Sequence, residues 1–492
     1  MRRITIHLKI AVLFLCITGC TTQSGVRNNT QGSDLIPRAV GAEVGEYDLR
    51  FGVISDIHIG LTDDYPFYQR FEKVLDWYNM QNVTALAMTG DITEDGSQDH
   101  WDIFKDSWES HKGGLQLIAV MGNHESFDDD KNAAAERFEA AAGQKTNAHY
   151  IINGYHFIVL SAGSEAFIDQ GAVGGAIASG RNGIPGSSIS TGDVISPSVR
   201  EWVRIQIDRA KTDAPDQPIF VFLHWPLYNT VYLSDVFFYT TSFGSDPLTG
   251  FFKNDPEVVI ISGHTHAPNN DPRSIWQGGF TAVNTAPLSF FYMMENGYLG
   301  DNADGTENSN ISKAGQTVGQ GIIVSVKGSE VTIENYDFDF SEGPSPLDST
   351  VKMSQTWNFD VSRPADFPYT EIMRDAQRTA PVFNRTRITV RKITDTSIEV
   401  EFPQAIIPGP NYGNEVVHSY RFDFINRQTG DIDRSVKQWS DFMLTPRLQR
   451  PTYTQIIGGL VPNTNYELRI YAYGSFQECS SQYLVRRFTT SR

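Results

Sequence analysis

Five short apolar runs in the first part of the chain share one kind of ending. Phe51–Ile54 is followed by Asp56 and His58, Leu86–Met88 by Asp91, and Ile118–Met121 by Asn123 and His124. Ile219–Leu223 is followed by His224, and Val258–Ile261 by His264 and His266. Unbroken apolar runs this short read as strands buried on both faces. Helical patterns separate them. Phe67, Phe71, Val74, Leu75 and Tyr78 fall at helical spacing, as do Trp101, Phe104 and Trp108. Lys131 to Ala142 is rich in Ala and Glu, and Ser196-Pro197 is a cap and first-turn proline for a helix to about Lys211. His149–Ile152 and His156–Leu160 flank Asn153-Gly154, a hairpin signal. Alternating strands and helices make a layered α/β domain. In an open α/β sheet the carboxyl ends of neighbouring strands line one crevice, so five such ends would gather these polar residues at one rim.

The residue types narrow the chemistry. Carboxylates and imidazoles suit Mn, Fe, Zn or Co better than Ca or Mg. Alternate residues of an extended chain share a face, so Asp56/His58 and His264/His266 would each aim two ligands at one ion. Gly263 leaves room for close approach. Two ions roughly 3.5–4 Å apart neutralise a phosphate ester's non-bridging oxygens and activate water at neutral pH, with a carboxylate between them to hold the spacing. Asp56, Asp91 and Asn123 taken singly would pass as caps or turn residues; their order and their position at strand ends carry the weight.

The ordered set Asp56-Ile57-His58, Gly90-Asp91, Gly122-Asn123-His124-Glu125, His224 and Gly263-His264-Thr265-His266 resembles the calcineurin-like metallophosphoesterase family. That family includes purple acid phosphatases and class III cyclic nucleotide phosphodiesterases. The resemblance runs from residue 49 to about 340. It implies a layered β-sandwich flanked by helices, and metal-dependent hydrolysis of a phosphomonoester or small phosphodiester. It also implies roles. Asp56, His58 and His266 would bind one metal, Asn123, His224 and His264 the other, and Asp91 would bridge them. His124 would protonate the leaving-group oxygen. The metals would be two divalent or trivalent ions, Mn, Fe or Zn. The chain departs from the pattern where the family often carries Asp three residues after the bridging Asp, orienting the catalytic His. Here stands Glu94, followed by Asp95, and a longer reach would let Glu94 serve. No tyrosine follows Asp91 closely, which sets the chain apart from purple acid phosphatases.

The N-terminus carries a different message. Arg2 and Arg3 precede Ile10–Ile17, an apolar run too short to span a bilayer. The run ends in Ile17-Thr18-Gly19-Cys20, which resembles a bacterial lipobox. Residues 1–19 are expected to be a cleaved lipoprotein signal, Cys20 the lipid-bearing residue and 20–46 a tether. The protein is therefore expected at the bacterial cell envelope, anchored to the membrane without crossing it. Cys16 would leave with the signal, so Cys479 would remain as the one ordinary thiol and an intramolecular disulfide is excluded. A net charge of −18 disfavours a nucleic-acid polymer as partner. A small phosphate ester stays compatible, because bound cations reverse the local field.

The metallophosphoesterase domain is placed at 47–340, a proline-containing connector at 341–380, and a β-sandwich of short alternating strands at 381–492. Leu460 to Tyr466, followed by alternating Leu468, Ile470 and Ala472, resembles the tyrosine corner of fibronectin type III domains. Trp439 is out of place for the core tryptophan of that fold. Irregular stretches at 162–195, 227–255 and 294–319 are expected to hold substrate selectivity. Within them, Tyr228, Tyr232, Phe237, Phe238 and Tyr239 fit either stacking on a base or acyl chain, or loop packing. His100, His111, His149, His156 and His418 are assigned ordinary surface or core roles. Two functions stand: the hydrolase, or an inactive surface binding protein whose sandwich recruits glycan or protein. The intact ligand set favours the first.

Overall fold

Strand β1 (Leu49–Ile54) pairs in parallel with β2 (Ala85–Met88), and β2 with β3 (Gln116–Ala119). On its other side β1 pairs antiparallel with β10 (Val318–Lys327), which continues to β11 (Glu330–Asp339) and β12 (Lys352–Asp360). A second six-stranded sheet contains β4 (Asn147–Ile152), β5 (Tyr155–Leu160), β6 (Ile219–Leu223), β7 (Val258–Ser262), β8 (Ile275–Gln277) and β9 (Thr281–Asn284). Its order is β4-β5-β6-β7-β9-β8. The computed structural model describes residues 46–61, 66–126, 131–161, 197–234, 247–291, 317–341, 347, 351–409, 411, 413–444 and 450–492. Cys20, the expected signal and nearly all of the expected tether lie outside the described residues, as do most of the stretches 162–195 and 294–319.

The two sheets face each other across one core. Phe51, Val53, Ala87 and Ile118 of the first meet Phe157, Phe220, Phe222 and Ile261 of the second. The Phe51 ring stands edge-on to Phe157 at 5.0 Å and to Phe220 at 4.8 Å. Each such buried ring contributes about 1.5–3 kcal/mol of hydrophobic free energy. The opposite face of the first sheet is covered by α1 (Phe67–Asn79), α2 (Gln98–His111) and α3 (Lys131–Ala142), through Phe71, Leu75, Trp101, Phe104 and Phe138. The opposite face of the second is covered by α4 (Pro197–Asp213), through Val199, Val203, Ile207 and Ala210. Strands covered on both sides need no polar face, which explains the continuous apolar runs. Helices thus flank a double sheet, and the strand ends belong to two facing sheets rather than to one open sheet.

The stretch read as a connector contains β12, the edge strand of the first sheet. Gln355, Trp357 and Phe359 alternate inward, and the last two enter the inter-sheet core. The prolines that suggested a connector flank this strand. At the hairpin between β4 and β5, Asn153 and Gly154 have φ of 52° and 89°, both left-handed as a two-residue turn of this kind requires.

The C-terminal strands form two facing sheets. One holds β13 (Thr389–Arg391), β14 (Ile398–Pro403) and β17 (Thr452–Ile457). The other has the order β16-β15-β18-β19, with β15 (Val417–Asn426), β16 (Ile432–Trp439), β18 (Asn465–Gly474) and β19 (Leu484–Thr489). Tyr466 is fully buried at the start of β18, and its hydroxyl accepts a bond from the Val461 N–H at 3.2 Å, closing the tyrosine corner. Strand β16 was not legible because it is a largely exposed edge strand with few apolar residues. Trp439, at its end, packs outside the sandwich core in a cluster with Phe442, Met443 and Leu444, against Ala286, Phe291 and Val318 of the first domain.

Candidate metal centre

The loops after β1, β2 and β3 deliver Asp56, His58, Asp91, Asn123 and His124; those after β6 and β7 deliver His224, His264 and His266. All of these are buried except His124, which is partly exposed. Three groups of donor atoms each lie within 4.8 Å of one another: Asp56, His58 and His266; His58, Asp91 and His124; Asp91, His224 and His264. Asn123 joins the third group, its Oδ1 standing 3.1 Å from His224 Nε2. Asp91 belongs to two groups, and its Oδ2 lies 3.1 Å from His224 Nε2.

The pairs at 56/58 and 264/266 are brought together differently from the extended geometry expected. Asp56, His58, Asp91, His264 and His266 all have positive φ, between 48° and 68°. Side chains with a Cβ adopt this left-handed region at a cost of order 1–3 kcal/mol each. Hydrogen bonds between loops hold it: Asp56 N–H donates to Gly90 O and His58 N–H to Asp91 O, both at 3.0 Å. Close packing leaves no space for side chains beside them. A Cβ on Gly122 would come within 2.1 Å of Asp91 Oδ1, and one on Gly263 within 2.6 Å of Asp56 Oδ2.

Outer hydrogen bonds orient the imidazoles. His224 Nδ1–H donates to Thr89 O at 2.8 Å, and His266 Nδ1–H donates to Phe290 O at 2.7 Å. His58 Nδ1 bonds the Glu94 carboxylate at 2.7 Å. Each of these three rings therefore presents Nε2 inward, and His58 Nε2 stands 3.3 Å from His266 Nε2. Lone pairs crowded this closely beside two carboxylates fit a cation-binding site, with ring nitrogens fixed as metal-ligating histidines require.

Electrostatics follow from burial and proximity. Burial alone would raise the Asp56 carboxyl, but the charge and hydrogen bond of His266 outweigh it and bring it down to about 2. Burial opposes ionisation of Asp91 too, and His224 and His124 hold it well below the usual carboxylate range. His224 resists burial through the Asp91 charge and rises to about 9, whereas burial and the neighbouring His224 press His264 down to about 3. His124 is pulled down by burial and raised on balance by Asp91 and Glu94.

Glu94 reaches both His124 and His58. Its backbone carbonyl takes the His124 Nδ1–H at 2.5 Å, and its carboxylate bonds His58 while Oε2 also stands 3.6 Å from the same His124 nitrogen. Glu125 emerges as a residue whose part was not read from the sequence. Fully buried, it accepts from Asp91 N–H, Thr93 N–H, Gly122 N–H and the Thr93 hydroxyl, tying the β2 and β3 loops together. Burial and the Asp91 charge push it up to about 7. Its signal was its place beside Asn123 and His124. His100 pairs with Asp95 and His111 with Asp76, while His149 and His156 bond each other. Tyr232 is buried against Arg273 and bonds His418, so it serves loop packing; Phe237 to Tyr239 lie outside the described residues.

Clustered carboxylate and imidazole donors at the loops of a helix-flanked double sheet define a metal-dependent hydrolase domain. Residues 49–268 match the family model of the calcineurin-like phosphoesterases, and that stretch is a phosphoesterase domain. The chain is similar to the structure of PhoD at 11% identity and TM-score 0.41, over 63% of this chain and 69% of that one. It is similar to purple acid phosphatase PPD1 from yellow lupin (Lupinus luteus) seeds at 11% identity and TM-score 0.39, over 63% of this chain and 53% of that one. The FN5 domain of Drosophila Lar aligns at 14% identity and TM-score 0.15 with 23% of this chain and 99% of its own. No curated protein matches the chain.

Proposed function

We propose that the protein hydrolyses a phosphomonoester or a small phosphodiester outside the cytoplasm, using two transition-metal ions, Mn, Fe or Zn. One observation carries this reading: Asp91 lies within donor distance of His58, assigned to one ion, and of His224 and His264, assigned to the other, as a bridging carboxylate must. Asp56, His58 and His266 would hold one ion, and Asn123, His224 and His264 the other. Bound ions supply charge neutralisation at the phosphate and lower the pKa of a water. The chain's own residues do the rest. Thr89, Phe290 and Glu94 keep the imidazole nitrogens aimed inward. His124, fixed through Nδ1 by the Glu94 carbonyl and raised in pKa by Asp91 and Glu94, would deliver a proton from Nε2 to the leaving-group oxygen. The lipobox-like sequence at Ile17–Cys20 supports a lipid anchor at the cell envelope.

Residues 21–492, loaded with Mn, are to be assayed on chromogenic phosphomonoesters and phosphodiesters beside His124→Ala and Asp91→Asn. Metal-dependent turnover is expected, with His124→Ala slower by about 10²–10⁴-fold and Asp91→Asn losing metal and turnover together. Absence of turnover with two ions bound would favour the inactive binding protein instead. Lipid labelling of the full chain, lost in Cys20→Ala, tests the anchor.

A further inference from the structure

Residues 286–291 touch the metal ligands on one side and the C-terminal sandwich on the other. Ser289 N–H donates to the Asp56 carbonyl at 3.2 Å, and the Phe290 carbonyl accepts the His266 Nδ1–H at 2.7 Å. The half-buried ring of Phe290 lies 4.5 Å from the His266 ring and 5.5 Å from that of His58. Two adjacent residues thus reach Asp56, His58 and His266, the three ligands assigned to one ion. The ligands assigned to the other ion are oriented from β2. The Thr89 carbonyl, just past that strand, fixes His224 at 2.8 Å, and Asn123 Oδ1 and His264 Nδ1 stand 3.1 and 3.2 Å from His224 Nε2.

The sandwich holds residues 286–291 at both ends. Phe291 is only 3% exposed and packs, with Ala286, against Trp439, Phe442, Met443 and Leu444, which end β16 and follow it. Asn269 Oδ1 accepts the Ala286 N–H at 3.0 Å, and its neighbour Asn270 donates from Nδ2 to the Phe442 carbonyl. Close-packed side chains transmit displacement, because no void absorbs it. A backbone that seats the Phe291 ring in this cluster also fixes the carbonyl one residue back, and that carbonyl sets the orientation of the His266 ring. We propose that the sandwich positions His266 through Phe291, and so sets the affinity of the ion site formed by Asp56, His58 and His266 but not that of the site formed by Asn123, His224 and His264. Phe291 and Phe442 are positioning residues in this arrangement. The ion sites rest on the two-metal reading above; the hold on His266 does not.

The test strips the full chain with EDTA and titrates it with Mn2+, counting bound metal per chain, for the unaltered protein, Phe442→Ala and Phe442→Leu. Phe442→Ala is expected to weaken one of the two sites about 10–100-fold and leave the other unchanged. Phe442→Leu, the milder truncation, should weaken the same site by less, and His266→Ala marks which site that is. In the metal-free proteins, grown with isotope-labelled histidine, the His266 Nδ1–H resonance is identified by its loss in His266→Ala. It should exchange with solvent faster in Phe442→Ala than in the unaltered chain. Equal weakening of both sites, as general loosening would give, overturns the proposal, and so does a His266 Nδ1–H that exchanges at the unaltered rate. An unaltered chain that binds fewer than two ions sinks the two-metal reading alone, and the His266 exchange rate then decides the positioning.

Discussion

The Glu94 carboxylate meets Nδ1 of His58 at 2.7 Å, while the carbonyl of the same residue takes Nδ1–H of His124. One residue thereby holds a metal-type ligand with its side chain and the general-acid candidate with its backbone. Glu94→Ala removes the first function and, of the second, only the carboxylate's ion pair with His124 Nδ1 at 3.6 Å, leaving the backbone bond. Apparent metal affinity is expected to fall about 10–100-fold, as for other carboxylates behind a ligating histidine. Turnover at saturating metal should change much less. Metal titrations of activity separate the two; a large fall in kcat with unchanged metal affinity would mean that the carboxylate acts on His124 after all.

Glu125 tests how firmly the loops must be tied. Its loss strands three buried N–H groups, each costing about 1–3 kcal/mol. Glu125→Ala should therefore lower the denaturation midpoint and weaken metal binding together. Glu125→Gln keeps one acceptor oxygen and should retain part of both. Chemical denaturation with and without metal reads the difference, and an unchanged midpoint in Glu125→Ala would refute the tie.

Asp337 supplies a pH signature away from the metal ligands. It is buried, bonded by Gln320 Nε2 at 2.6 Å, and Gln320 in turn accepts from Asn269, just beyond His266. Burial pushes its carboxyl from 3.8 up to about 7 despite that bond. Between those values the folded protein keeps a proton that the unfolded chain releases. Stability is therefore full in acid and falls as pH rises through the window, by about 1.4 kcal/mol per unit at most. Asp337→Asn should abolish this loss, matching the unaltered chain near pH 4 and exceeding it at pH 8. Parallel stability curves for the two proteins would rule the effect out.

Trp439 and His418 join the two domains. Their rings lie edge to face at 4.5 Å, and His418 bonds Tyr232 across the junction at 3.1 Å. Trp439→Ala should cost about 3–5 kcal/mol and increase amide exchange across residues 264–291, which include the HxH loop and meet the cluster through Ala286 and Phe291. If exchange there is unchanged, the sandwich is an independent module.

The sequence by itself determined which segments are buried and what stands at their ends. Burial on both faces writes itself as unbroken apolar runs, so β1, β2, β6 and β7 and the ligands after them were legible, as was the hairpin at Asn153-Gly154. The tyrosine corner at Tyr466 was legible because its parts are local. Tertiary structure decided the rest. Nothing local places Phe51 beside Val324, the register that sets β10 against β1. The division of the ligand loops between two sheets rests on the same long-range pairing. The left-handed turns at Asp56 and His58 are imposed by carbonyls of the Gly90-Asp91 loop, and Glu94 and Glu125 acquire their parts only when that loop meets its neighbours. Periodicity reports what a residue faces, whereas partners distant in the chain are chosen by packing.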